Sequence, residues 1–161
     1  MDVDADLYDR DFLAWTQAQA ERLRAAANTR SNLPIDWEHV AEEIEDLGKR
    51  ERRDLESRLQ TIVEHLLKLE FSPARAPRGG WAETVARSRK EVQKLLRQSP
   101  SLRHELEQMI LEAGNDARDV VRASLREHSE ADAMARVLAA GKHTPEQVLG
   151  DWWPEGPAAA P

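Results

Sequence analysis

The sequence has 161 residues, with 23 Lys and Arg against 30 Asp and Glu, so its formal net charge at pH 7 is −7. This length suits one domain, whose core needs no disulfide or metal for support. Because there is no cysteine, disulfides, thiol catalysis and Cys-ligated zinc or iron–sulfur clusters are excluded. No apolar run reaches the length of a membrane span, and the acidic residues 1–6 do not resemble a signal peptide. We therefore expect a cytoplasmic protein that does not contact a membrane.

The composition predicts an all-α fold, because helix-forming residues are common and β-branched residues never alternate with polar ones over the length of a strand. A first helix is predicted over residues 8–27 by an apolar stripe with helical spacing: Tyr8, Phe12, Trp15, Ala18, Leu23 and Ala26. A second helix begins after Asp36 as N-cap and follows its apolar pattern over residues 37–71. The pattern crosses Gly48 without a turn signal, so we predict one long helix with a bend there.

The second half of the chain contains further helix signals. Two Pro and two Gly predict a loop over residues 72–80, followed by a third helix over 81–98. Ser99 and Pro100 suit the N-cap and first helical positions of a fourth helix that ends near residue 128. A short helix over 130–140, a turn capped by Thr144 and Gln147, and a disordered tail from about residue 155 complete the chain. We predict a single domain over residues 1–161: a bundle of four main helices with a short C-terminal helical addition.

Several blocks of residues resemble a known family when they are taken in chain order. They are LYDRDFLAW at 7–15, EEIEDLG at 42–48, HLLKL at 65–69, Trp81 with Arg89, SPSL at 99–102, and WWP at 152–154. Over nearly its whole length the chain resembles the bacterial domain-of-unknown-function family numbered twenty-nine. It departs from the family pattern at Leu69, where an aromatic residue is usual and the aromatic instead falls at Phe71. The resemblance implies a small helical protein and supplies no catalytic residue.

The most concentrated polar cluster joins Glu42 and Glu43 to His39, with His65 and Arg89 as further members. His39 and Glu43 are four residues apart and share a helix face, a spacing compatible with metal binding. The chain lacks the Glu-x-x-His and His-Glu-x-x-His motifs, however, so a solvated helical face is the favoured interpretation. For His65 we favour a half-buried ring bonded to a neighbouring helix over a ligand or general base.

Two further features have competing interpretations. Arg89 lies at the edge of an apolar stripe, so we expect a structural salt bridge with Glu42, Glu43 or Asp46, and an anion site is the alternative. Trp152 and Trp153 are adjacent and cannot both face the same side of a helix. We therefore expect one to pack on the helices and the other to be exposed, with a partner-binding anchor as the alternative.

Charge is distributed unevenly along the chain. Residues 1–46 carry a net charge of −8, residues 47–97 one of +6, and residues 98–161 one of −5. Internal complementarity is the favoured interpretation of this pattern. Nucleic-acid binding is the alternative, and it would use the basic residues of the middle section: Arg75, Arg78, Arg87, Lys90, Lys94 and Arg97.

Taken together, these features favour a non-enzymatic helical interaction or accessory module. We predict no catalytic residue, no cofactor and no bound metal. The expected partner is an unknown protein, with a homo-oligomer as a further alternative, and nucleic acid is disfavoured. A metal- or anion-binding bundle with hydrolase-like chemistry near Glu42, Glu43 and Arg89 is the first alternative function. A nucleic-acid-associated protein is the second.

Overall fold

The computed structural model describes residues 3–29, 33–128 and 130–157, and every regular element in these ranges is helical. The elements are α1 (Val3–Arg10), α2 (Phe12–Asn28), α3 (Trp37–Phe71), α4 (Arg78–Gln98), a 3-10 helix (Pro100–Glu105), α5 (Leu106–Glu127), α6 (Ala131–Ala139) and α7 (Pro145–Leu149). The all-α prediction is confirmed. The four main helices are α2 to α5, and α6 and α7 form the C-terminal addition. In the predicted tail, residues 158–161 lie outside the described residues.

The chain divides into two compact units, and each is built from two stretches of sequence. Unit 1 comprises Met1–Leu55 and Lys94–His104, and unit 2 comprises Glu56–Gln93 and Glu105–Pro161. In the described part of the chain, every helix is too short or too polar to cross a bilayer.

In unit 1, the predicted first helix is interrupted at Asp11, so the prediction of one helix over residues 8–27 was wrong. Asp11 has an extended backbone, and its Oδ1 accepts a hydrogen bond from Ala14 N at 3.0 Å, so it serves as the N-cap of α2. The same carboxylate accepts hydrogen bonds from Ser101 N at 2.7 Å and from Ser101 Oγ at 2.9 Å. The break therefore places one carboxylate where it bonds both a helix end and a distant segment.

Gly48 lies within α3, which continues through it from Trp37 to Phe71. A Cβ at this position would lie 2.8 Å from Leu13 Cδ1 and would also overlap Thr16 Oγ1. Gly48 therefore allows α3 to pack closely on α2 of unit 1, because a Cβ here would require the Leu13 and Thr16 side chains to move.

In unit 2, α4 begins three residues before its predicted start and includes Gly79 and Gly80 in its first turn. The Arg78 guanidinium donates to Leu69 O at 2.6 Å and to Ser72 O at 3.3 Å, which satisfies carbonyls at the C-terminal end of α3. The Ser99-Pro100 signal begins a 3-10 helix that leads into α5.

The last helix, α7, has only five residues but is capped as predicted. Thr144 Oγ1 accepts from Gln147 N at 3.2 Å, and Gln147 Oε1 accepts from Thr144 N at 2.9 Å. Both bonds of a capping box are therefore present. So short a helix is not stable alone in water, so its other end must be held by contacts elsewhere in unit 2.

Candidate functional site

Arg89 holds the C-terminal end of α7. Arg89 is buried, with 7% of the residue exposed. Its Nε donates to Val148 O at 2.9 Å, and its Nη2 donates to Gln147 O at 2.8 Å and to Trp152 O at 2.8 Å. We call this arrangement the Arg89 clamp. Burial lowers the pKa of Arg89, and the nearby carboxylate of Asp151 acts in the opposite direction.

The acceptors of Arg89 correct the prediction of a salt bridge with Glu42, Glu43 or Asp46. All three are backbone carbonyls in unit 2. Val148 and Gln147 are in the last turn of α7, where carbonyls have no partner within the helix and the helix dipole is negative. A guanidinium can supply several donors to such carbonyls at once, so no carboxylate is needed for these bonds.

The two C-terminal tryptophans lie in different environments within unit 2. Trp152 is half-buried, with its ring centroid 5.8 Å from that of His143. The His143 side chain is 7% exposed, and its Nε2 lies 3.1 Å from Glu70 Oε2. Trp153 is 43% exposed, and Arg89 Cζ lies 4.8 Å from its ring centroid. One tryptophan therefore packs and the other is exposed, as their adjacency predicts.

Glu42 and Glu43 are exposed on α3 in unit 1. Beside them, His39 Nδ1 lies 2.6 Å from Asp36 Oδ2. This hydrogen bond raises the pKa of His39, and the negative charges of Asp36 and Glu42 add to the effect. Within residues 3–29, 33–128 and 130–157, no three His, Asp or Glu side chains are grouped so that they could hold a metal ion.

His65 is half-buried in unit 2, and its Nδ1 donates to Thr61 O at 2.8 Å. Thr61 is one turn earlier on the same helix, so the expectation of a partner on a neighbouring helix was wrong. A carbonyl one turn back is within reach of a histidine side chain on any helix, and it satisfies the ring nitrogen without tertiary contact.

A cleft in unit 1 was missed by the sequence analysis. It has a volume of about 350 Å³ and is lined by Tyr8, Asp9, Phe12, Glu51 and Gln98. The Tyr8 ring contacts Phe12 edge-on at a centroid distance of 5.8 Å. Tyr8, Asp9 and Phe12 all belong to the first block of the family resemblance, and this was the signal available in the sequence.

Glu51 lies on the wall of this cleft and is half-buried. Its Oε2 accepts a hydrogen bond from Ser99 Oγ at 3.3 Å. Burial raises the pKa of Glu51. The hydrogen bond from Ser99 and the positive charge of Lys94 lower this pKa, and the negative charge of Asp54 raises it further. Ser99 is itself buried, and its Oγ accepts from Leu13 N at 3.2 Å. The Glu51 carboxylate is therefore hydrogen-bonded to the hydroxyl of a buried serine, Ser99.

The described residues thus define an all-α protein with an acidic cleft in unit 1 and a clamped C-terminal segment in unit 2. The family model described as domain of unknown function DUF29 matches residues 7–153, and the chain belongs to this family. A similar crystal structure is that of an alpha-helical protein of unknown function from Rhodospirillum rubrum. Its TM-score is 0.69 and its identity 24%, over 89% of each chain, so the likeness concerns the fold. The comparison with curated proteins found no match.

Proposed function

We propose that this chain is a helical interaction module and that Trp153 anchors a protein partner. The observation that carries this proposal is an exposed tryptophan held in a fixed position. The guanidinium of Arg89 lies over the Trp153 ring and also bonds the preceding carbonyl, that of Trp152. A side chain that is already ordered loses less conformational entropy on binding, and tryptophan is enriched among the residues that dominate interface energies.

Within the proposal, the module acts in the cytoplasm of a bacterium. The family resemblance supports a bacterial source, and the absence of cysteine agrees with a compartment in which disulfides are not used. The nucleic-acid alternative is weakened at Arg78, because its guanidinium is engaged by the carbonyls of Leu69 and Ser72.

The proposal is tested by replacing Trp153 with the photo-crosslinking amino acid benzoylphenylalanine in the native host. The matched control carries the same crosslinker at Leu138, which is 56% exposed in the same unit. We expect a discrete adduct from position 153 and none from position 138, with the partner identified by mass spectrometry. A self-adduct would identify the partner as a second copy of this chain.

Binding to the purified partner then measures the anchor directly. Trp153→Ala should weaken the complex by about 30-fold or more, since a hot-spot residue is worth about 2 kcal/mol or more. Equal adducts at the two positions, or unchanged affinity in Trp153→Ala, would show that this tryptophan is not an anchor.

A further inference from the structure

The cleft of unit 1 is rich in hydrogen-bond acceptors. Its lining residues present two carboxylates, from Asp9 and Glu51, an amide from Gln98, and the rings of Tyr8 and Phe12. None of these lining residues is cationic. A volume of about 350 Å³ lies in the range of about 300–1,000 Å³ typical of ligand pockets. The polar group that suits this lining is therefore a cation that carries several N–H donors.

Glu51 supplies an independent reason to expect a cationic ligand. Its carboxylate is half-buried, yet its hydrogen bond to Ser99 Oγ at 3.3 Å is long for a bond between oxygens. The charges of Asp54 and Lys94 also act on the Glu51 carboxylate without a direct bond: Asp54 raises its pKa and Lys94 lowers it. An ionised carboxylate can accept about four hydrogen bonds, so Glu51 has acceptor capacity beyond the bond from Ser99 that the described residues supply. Partial burial without a bonded cation is costly, and a bound cation would relieve that cost.

We propose that this cleft binds the guanidinium group of an arginine on a partner protein. A guanidinium is planar, carries five N–H donors and is weakly hydrated, so it can stack on an aromatic ring while bonding carboxylates at its edge. A lysine ammonium offers three donors around a strongly hydrated point charge. Free arginine would bring a carboxylate for which the lining residues provide no cation, so an arginine within a polypeptide is the better fit.

The charge of the N-terminal stretch favours the same ligand. Residues 1–46 carry a net charge of −8 and include three of the five lining residues, Tyr8, Asp9 and Phe12, whereas Glu51 lies in the basic middle section. The acidic residues of the N-terminal stretch attract basic segments and raise their rate of encounter. This proposal concerns unit 1 and does not depend on Trp153.

The test is an amide NMR titration of the full chain with three capped tripeptides, Gly-Arg-Gly, Gly-Lys-Gly and Gly-citrulline-Gly, and with free arginine. Citrulline is a neutral analogue of arginine with nearly the same shape. We expect the arginine peptide to shift the resonances of Tyr8, Phe12 and the Gln98 side-chain amide. It should bind about tenfold more tightly than the lysine peptide or free arginine, and the citrulline peptide should not bind.

Variants assign the binding to the cleft. Glu51→Gln and Asp9→Asn should each weaken binding of the arginine peptide by about tenfold, because each removes one charge-assisted hydrogen bond. The control is Glu42→Gln, which removes the same charge from an exposed position in unit 1 and should leave the affinity unchanged. The proposal is overturned if the citrulline or lysine peptide binds as well as the arginine peptide. It is also overturned if no peptide shifts the cleft resonances, or if Glu42→Gln weakens binding as much as Asp9→Asn.

Discussion

Replacement of Arg89 by alanine should destabilise the protein more than any other single arginine change in α4. The substitution removes three hydrogen bonds from a charged donor to the carbonyls of Val148, Gln147 and Trp152. At about 1.5–3 kcal/mol each, simple addition gives roughly 5–9 kcal/mol. Two effects reduce this sum. The unfavourable burial of the guanidinium is also removed, and the released carbonyls can bond water once the segment after α7 detaches. We therefore expect a net loss of about 3 kcal/mol.

Urea unfolding measures this loss. With a slope of roughly 2 kcal/mol per molar urea, the midpoint should fall by about 1.5 M. The matched control is Arg87→Ala on the same helix, because Arg87 is 72% exposed and bonds only the exposed Glu83 in the described structure. That variant should keep the wild-type midpoint. Arg89→Lys should fall between the two, because an ammonium retains the charge but cannot reach all three carbonyls in one plane.

Hydrogen exchange locates the effect. In Arg89→Ala, the amides of Val148 and Gly150, which close the turn of α7, should exchange faster than in the wild type. An Arg89→Ala midpoint equal to that of the wild type, or an equal shift in Arg87→Ala, would refute the reasoning that the clamp holds the C-terminal segment.

Three further predictions concern other positions. Gly48→Ala should lower the thermal midpoint, because overpacking against α2 costs about 1–3 kcal/mol and outweighs the gain in helix propensity. Gly114→Ala in α5 should raise the thermal midpoint, because a new Cβ there meets nothing within 4 Å. A shift of the same sign in the two variants would contradict this reasoning. A chain that ends at Gly150 lacks Trp152 and Trp153 and should lose about 3–5 kcal/mol of stability. Full thermal stability in this truncated chain would show that the packing of Trp152 is dispensable. Asp36→Asn should move the NMR titration midpoint of His39 to lower pH, because Asp36 raises the pKa of His39. The stabilisation from this pair is present below the unfolded histidine pKa of about 6.5, is lost as pH rises through the folded value, and is also lost in acid when Asp36 becomes protonated.

The helices could be predicted from sequence because their signals are local. Apolar spacing located α3 and the C-terminal end of α5 closely, and the capping box at Thr144 identified α7. The predicted first turns of α5 instead form the 3-10 helix. The break at Asp11 was hidden because Tyr8, Phe12 and Trp15 keep helical spacing across it, although aspartate is a favoured N-cap residue. The same carboxylate also bonds Ser101, ninety residues away, and no local pattern contains that part of the information.

The candidate sites were harder to predict for a related reason. The sequence suggested carboxylates as partners for Arg89 because charged side chains are visible in a sequence. Its actual acceptors are backbone carbonyls, and since every residue has one, a sequence cannot indicate which are left unbonded. The cleft brings Gln98 and Glu51 beside the N-terminal block, and this depends on how distant segments pack.

The division of unit 1 into two stretches of sequence affects how the protein can be made and cut. Asp11 and Leu13 bond Ser101 and Ser99, which are synthesised only after the whole of Glu56–Gln93 has been added. At about 5–20 residues per second, residues 56–104 take several seconds to translate, and during that time the N-terminal helices lack these partners. The same topology means that no single cleavage of the chain releases either unit intact. A gene fragment encoding only the first 55 residues would yield helices in which the Asp11 carboxylate lacks Ser101 and the Leu13 amide lacks Ser99.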